Sequence, residues 1–144
     1  MKKLVSKIIL LVLVSFAFVS CQKKEPVVYS GAVVLYTSAN LDEVTEIKNG
    51  FEQKYPGIVL DYYYGNLSDL KTILNEELEL DDPGVDVVYV TTGINNSIFS
   101  TDKLILPDVK KVSKDNKYVD KLALVSGSLN SENGKLLVEY LLSK

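Results

Sequence analysis

"VVLYTSANLDEVTEI", residues 33–47, passes from strand to helix through a polar loop. Val33–Tyr36 read as a buried strand. Thr37, Ser38, Ala39 and Asn40 follow with hydroxyls and an amide. Leu41, Val44, Ile47 or Lys48, Phe51 and Tyr55 then recur at helical spacing. Asn40 or Ser38 suits the N-cap, where a side-chain oxygen accepts from the unpaired N–H groups of the first turn. Asp42 and Glu43 suit the positive end of that helix. "KYPG", residues 54–57, stops it, because proline lacks the N–H needed to continue and glycine fits the turn.

The same alternation repeats downstream. Ile58–Tyr64 is β-branched and aromatic and reads as a second strand, with Tyr62, Tyr63 and Tyr64 as packing residues. Gly65 and Asn66 turn the chain, and Asn66 or Ser68 caps a helix whose inward face is Leu67, Leu70, Ile73, Leu74 and Leu78. "DDPG" at 81–84 ends it, and Val85–Val90 is a third strand followed by Thr91, Thr92 and Gly93. A short helix is expected over 94–100, leading into "DKLILP". Strands and helices alternating with short loops predict an α/β fold with a parallel sheet and right-handed crossovers.

In such sheets ligands sit beyond the carboxyl ends of the strands. The loops Thr37–Asn40, Gly65–Ser68 and Thr91–Gly93 all lie there, each before a helix. Thr37, Ser38, Asn40, Asn66, Ser68, Thr91 and Thr92 are therefore the candidate ligand contacts, through hydroxyl, amide and N–H groups. The same residue types also serve as plain caps and turns, so both roles stay open at this point.

Residues 108–118 are polar and lysine-rich and read as a loop or weak edge element. Leu122–Val125 is a short strand, Gly127 a turn, and Asn130 the cap of a last helix over 131–143. Its expected inward face is Leu136, Leu137, Tyr140 and Leu141.

The opening of the chain has the pattern of a secretory signal over residues 1–20. Lys2, Lys3 and Lys7 precede the apolar run Ile8–Val19, which is short for a membrane span. The single cysteine, Cys21, closes that segment, and "QKKEPVVYSG" after it makes residues 21–32 a tether. A lone cysteine forms no internal disulfide in an exported chain, which favours lipid attachment at Cys21. Three of the 16 basic residues, all lysines, fall within the signal; beyond it 13 stand against 19 acidic residues, a net charge of −6. That balance leaves no basic patch for nucleic acid. With no histidine, the usual general base near neutral pH is missing, and no spacing points to enzymatic chemistry. The roughly 115 residues after the tether suffice for one domain with a core.

"VVLYTSANLDEVTEIKNGFEQKYPGIVLDYYYGN" and "GVDVVYVTTG" resemble the first lobe of periplasmic solute-binding proteins of ABC importers. The similarity lies with the ferric-iron, thiamine, phosphonate and polyamine binders and covers residues 33–106. "LALVSGSLNSENGKLLVEYLLSK" resembles the stretch that returns to that lobe late in the family's chain, and "FVSC" resembles a lipobox, with Phe18 in the place of the usual leucine. Between these matches the second lobe is absent. The resemblance thus implies a single three-layer lobe of a type II periplasmic-binding-protein-like fold: three parallel strands, one added C-terminal strand, and helices on both faces. Residues 33–106 supply its first part and residues 122–143 the returning strand and helix.

The function so implied is that of a lipid-anchored, substrate-binding-like protein reduced to one lobe. It would meet a small polar or anionic solute or a metal-chelate weakly or not at all, with an ABC permease as the partner. No cofactor is implied. Asn40 and Thr91 stand where some iron binders place His and Glu, so the resemblance carries no resident metal. The alternative is an envelope lipoprotein that uses the lobe as a protein-interaction scaffold, or a remnant without function.

Overall fold

The computed structural model describes residues 28–91, 102–105 and 121–144, with only the backbone for Lys121. The expected signal, Cys21, Thr92, the helix over 94–100 and the lysine-rich stretch 108–118 lie outside them. The described elements run β1 (Gly31–Thr37), α1 (Leu41–Lys54), β2 (Ile58–Tyr64), α2 (Leu67–Leu78), β3 (Val87–Val90), β4 (Leu104–Ile105), β5 (Lys121–Val125) and α3 (Ser131–Leu142). The fold is α/β, with one mixed sheet in the order β2-β1-β3-β5-β4. β1 is parallel to both β2 and β3, whereas β5 runs antiparallel to β3 and to β4.

This order decides where the helices go. The chain steps from β1 outward to β2, then back across β1 to β3. Two right-handed crossovers in opposite directions must place their helices on opposite faces. Accordingly, α1 packs with α3 against Val33, Leu35, Ile58, Leu60 and Val87. On the other face α2 sets Leu70, Leu74 and Leu78 against Val88, Val90, Ala123 and Val125. Alternate residues of each strand serve alternate faces, as the pleat requires.

The local grammar explains the element ends. Asn40 and Asn66 are the N-caps of α1 and α2. After α1 the backbone reverses at Gly57, whose φ is +104°, and a Cβ there would lie 2.2 Å from the carbonyl oxygen of Tyr29. Only glycine meets both conditions.

The structure departs from the sequence reading in several places. β1 begins at Gly31, not Val33, and Tyr29 packs edge-on against Tyr55 with ring centroids 5.0 Å apart. β3 starts at Val87, not Val85, although the Asp86 backbone already bonds to both sides: its N–H donates to the Val34 carbonyl (3.0 Å) and its carbonyl accepts from the Val125 N–H (2.9 Å). Leu104–Ile105 form an unforeseen fifth strand beside β5. Leu41, placed on the inward face of α1 by its spacing, is 46% exposed, because it precedes the first turn that meets the sheet. On α3, Val138 is buried as well, and Leu136 is only partly so.

Asn130 occupies the N-cap position of α3 but makes no capping bond with its side chain. Its backbone N–H donates to Asp86 Oδ1 (2.9 Å) and its Nδ2 to Asp86 Oδ2 (3.1 Å). The second oxygen also accepts from the Val34 N–H (2.8 Å). Asp86 has no exposed surface, so its carboxylate is a three-way tie among β1, β3 and the returning segment. One turn further on, Asn133 Nδ2 donates to the carbonyls of Ser30 (3.2 Å) and Ala32 (2.9 Å). Gly134 lets the helix settle close: a Cβ there would stand 2.8 Å from Leu124 Cδ1 and 3.4 Å from the Asp86 Cβ.

Candidate functional site

Because β1 lies between β2 and β3, the loops after β1 and β2 and Thr91 after β3 meet at one edge of the sheet. The N-termini of α1 and α2 open at that same edge. Backbone bonds lock the loops together. The Gly65 N–H donates to the Thr37 carbonyl (3.2 Å), and the Ser38 N–H donates to that of Tyr89 (3.2 Å). The Thr91 N–H donates to Ser38 Oγ (3.1 Å).

The predicted site residues take different parts within this cluster. Thr37 is fully buried and its Oγ1 accepts from the Ala39 N–H (3.0 Å), so it shapes the loop from inside. Ser38 is half-buried and splices β1 to β3. Asn40 is exposed, and its Oδ1 accepts from the Glu43 N–H (2.9 Å). Asn66 Oδ1 accepts from the N–H groups of both Ser68 and Asp69 (3.0 Å each), and its Nδ2 donates to Asp69 Oδ2 (2.6 Å). Ser68 is exposed, and its carbonyl accepts from Thr72 Oγ1 (3.2 Å). Thr91 is half-buried at the end of β3. Asn40, Asn66 and Thr37 therefore spend their side-chain oxygens on caps and turns.

Acidic groups surround the cluster. Asp42 and Glu43 stand in the first turn of α1 and Asp69 in that of α2. These carboxylates complement the positive helix ends and lower the attraction those ends offer an anion. The Tyr89 hydroxyl donates to Glu43 Oε1 (3.2 Å), a contact the sequence reading missed because the partners lie 46 residues apart. Beside it a cavity of about 440 Å³ opens between α1 and α3, lined by Glu43, Glu46, Ile47, Tyr89, Leu141 and Lys144. Lys144 Nζ pairs with Glu46 at 2.9 Å, and this hydrogen bond holds the Glu46 carboxyl below its ordinary range and raises the Lys144 ammonium above its own.

Of the three tyrosines of β2, Tyr62 and Tyr63 behave as packing residues, whereas Tyr64 is exposed. Tyr62 and Tyr63 are partly buried against the two cores, and Tyr63 stacks on Tyr36 with centroids 5.5 Å apart. Burial, with Glu77 alongside, pushes the Tyr36 phenol up. Among the described residues no group of three or more His, Cys, Asp or Glu converges on a metal-sized point, and no helix is long and apolar enough to cross a membrane. No protein-family model and no curated protein matches the chain.

Proposed function

We propose that the chain is an envelope lipoprotein of the ABC-importer substrate-binding type, anchored through Cys21 and reduced to one lobe, that meets a small polar solute or metal-chelate weakly. The observation that carries this reading is the convergence of the Thr37–Asn40, Gly65–Ser68 and Thr91 loops at one sheet edge, beside two helix N-termini. Among the predicted residues the exposed Ser68 hydroxyl is the contact still on offer there, since Asn40 and Asn66 are engaged as caps and the N–H groups of Ser38, Ala39, Glu43, Gly65, Ser68, Asp69 and Thr91 already have acceptors.

Two features make the binding weak. A small ligand is held tightly when walls bury most of its surface, and a single lobe supplies one wall. The carboxylates of Asp42, Glu43 and Asp69 also oppose an anion at this edge. Titration calorimetry against phosphate, a phosphonate, thiamine and a ferric chelate tests the reading. The expected result is one responder with a dissociation constant of about a millimolar, equivalent to roughly 4 kcal/mol. Silence across the panel at millimolar concentrations removes the solute and leaves the scaffold reading in its place.

A further inference from the structure

β2 is the outer strand of the sheet, so among the described residues one side of its backbone faces no neighbouring strand. Within a strand, successive residues turn their N–H and C=O groups to alternate sides. Gly65 donates to the Thr37 carbonyl of β1, which puts the odd-numbered residues on the paired side. Ile58, Leu60, Tyr62 and Tyr64 therefore present their backbone groups to the free side. A bare edge of this kind is a template for another chain, and Val59 (52% exposed) and Tyr64 (45%) add apolar surface around it.

The first half of that edge is nevertheless occupied. The Ile58 N–H donates to the Tyr55 carbonyl at 3.1 Å. At Leu60 both groups are taken by side chains from α1: the N–H donates to Glu52 Oε1 (2.9 Å), and the carbonyl accepts from Lys48 Nζ (2.6 Å). Lys48 and Glu52 are one helical turn apart and are themselves ion-paired at 2.5 Å. Together they present to Leu60 one acceptor and one donor, the same pair of groups that a neighbouring strand would present. Tyr62 and Tyr64, on the far side of this clamp, find no such partner among the described residues.

We propose that the Lys48–Glu52 pair is an edge guard: it mimics a neighbouring strand at Leu60 and so prevents a second copy of this chain from adding to β2. The pairing it blocks is a two-fold antiparallel one centred on Tyr62. That register sets Leu60 of each copy opposite Tyr64 of the other. It also places Asp61 opposite Tyr63, avoiding a carboxylate facing its own copy. The remaining open pair, Tyr62 and Tyr64, is too short to hold two chains together, since an isolated two-stranded contact needs more length than this.

Residue-resolved amide exchange by NMR, together with sedimentation velocity over a concentration series, tests the proposal. In the unaltered protein the Leu60 amide is expected to be protected although it lies on a free edge, while those of Tyr62 and Tyr64 exchange quickly. In Lys48→Ala/Glu52→Ala, Leu60 should exchange about tenfold faster at low concentration, the weight of one charge-assisted hydrogen bond. As concentration rises, its mass should move toward the dimer and the amides of Leu60, Tyr62 and Tyr64 should become protected together. Glu52→Gln keeps an acceptor for the Leu60 N–H and should stay monomeric. A Leu60 amide unprotected in the unaltered protein, or a double variant that stays monomeric throughout, overturns the proposal. If the double variant loses its circular dichroism, Lys48→Ala alone decides: it frees the Leu60 carbonyl and must dimerise more than Glu52→Gln.

Discussion

The two ends of the sheet use the same residue types over opposite ranges of sequence. At the loop edge Asn40, Asn66 and Thr37 bond to partners two or three residues away. At the other end Asp86 reaches Val34 and Asn130, 52 and 44 residues distant, and Asn133 reaches Ala32 across 101. Local bonds shape single elements and leave the loops as exposed turns. Distant ones decide whether the returning segment belongs to the domain at all. At the loop edge the asparagines and Thr37 thus serve local caps and turns, with Ser38–Thr91 and Glu43–Tyr89 as the long-range exceptions, while the side-chain ties that bring in the segment before α3 sit at the end where no ligand is expected.

Asp86→Asn tests the contrast most severely. The amide is isosteric, but one of its corners is a donor, and it must face an N–H from Val34 or Asn130. Leaving a fully buried donor unsatisfied costs about 3 kcal/mol. Urea unfolding should show that loss, and amide exchange should find α3 deprotected before α1. An equal loss of protection across all elements would mean that the tie is not specific to the returning segment.

Asn66→Ala probes the local end. It removes the acceptor for two N–H groups of α2 and should lower the urea-unfolding free energy by about 1 kcal/mol. The change in exchange should be confined to the first turn of α2. A larger or wider effect would break the distinction between the two ends.

The smallest effect is one of pH. The hydrogen bond from Lys48, and then that from the Leu60 N–H, lower the Glu52 carboxyl below its ordinary value of 4.5. A carboxylate with a depressed folded-state pKa adds stability that is present above the unfolded value and is lost as pH falls through the folded one. Unfolding midpoints taken from pH 7 down to pH 3 should therefore drop below about pH 4.5. In Glu52→Gln part of that slope should vanish; an unchanged slope would show that Glu52 carries none of it.

Much of the first half was legible because its signals are short-ranged. The apolar period of α1, the stop at Pro56–Gly57 and the strand composition of Ile58–Tyr64 are each complete within fifteen residues. β4 was not legible, because Leu104–Ile105 is too short to show a period and gains its identity only by lying beside β5. Asn130 looked like a cap because a cap needs only local sequence, whereas its side chain's partner is Asp86, just before β3. For the candidate edge, the sequence placed the loops together but did not show that Thr37 turns inward. That depends on the parity with which β1 meets the core under α1 and α3.

The bonds from Asn133 to Ser30 and Ala32 set a timetable for folding. A contact that closes a loop of about a hundred residues comes late, since its entropy must be met before it yields anything. During synthesis, β1, α1 and β2 emerge long before α3 exists to cover Leu35 and Val87. The nascent chain therefore waits with one apolar face of its sheet only half covered, and it depends on α1 alone until the last helix arrives.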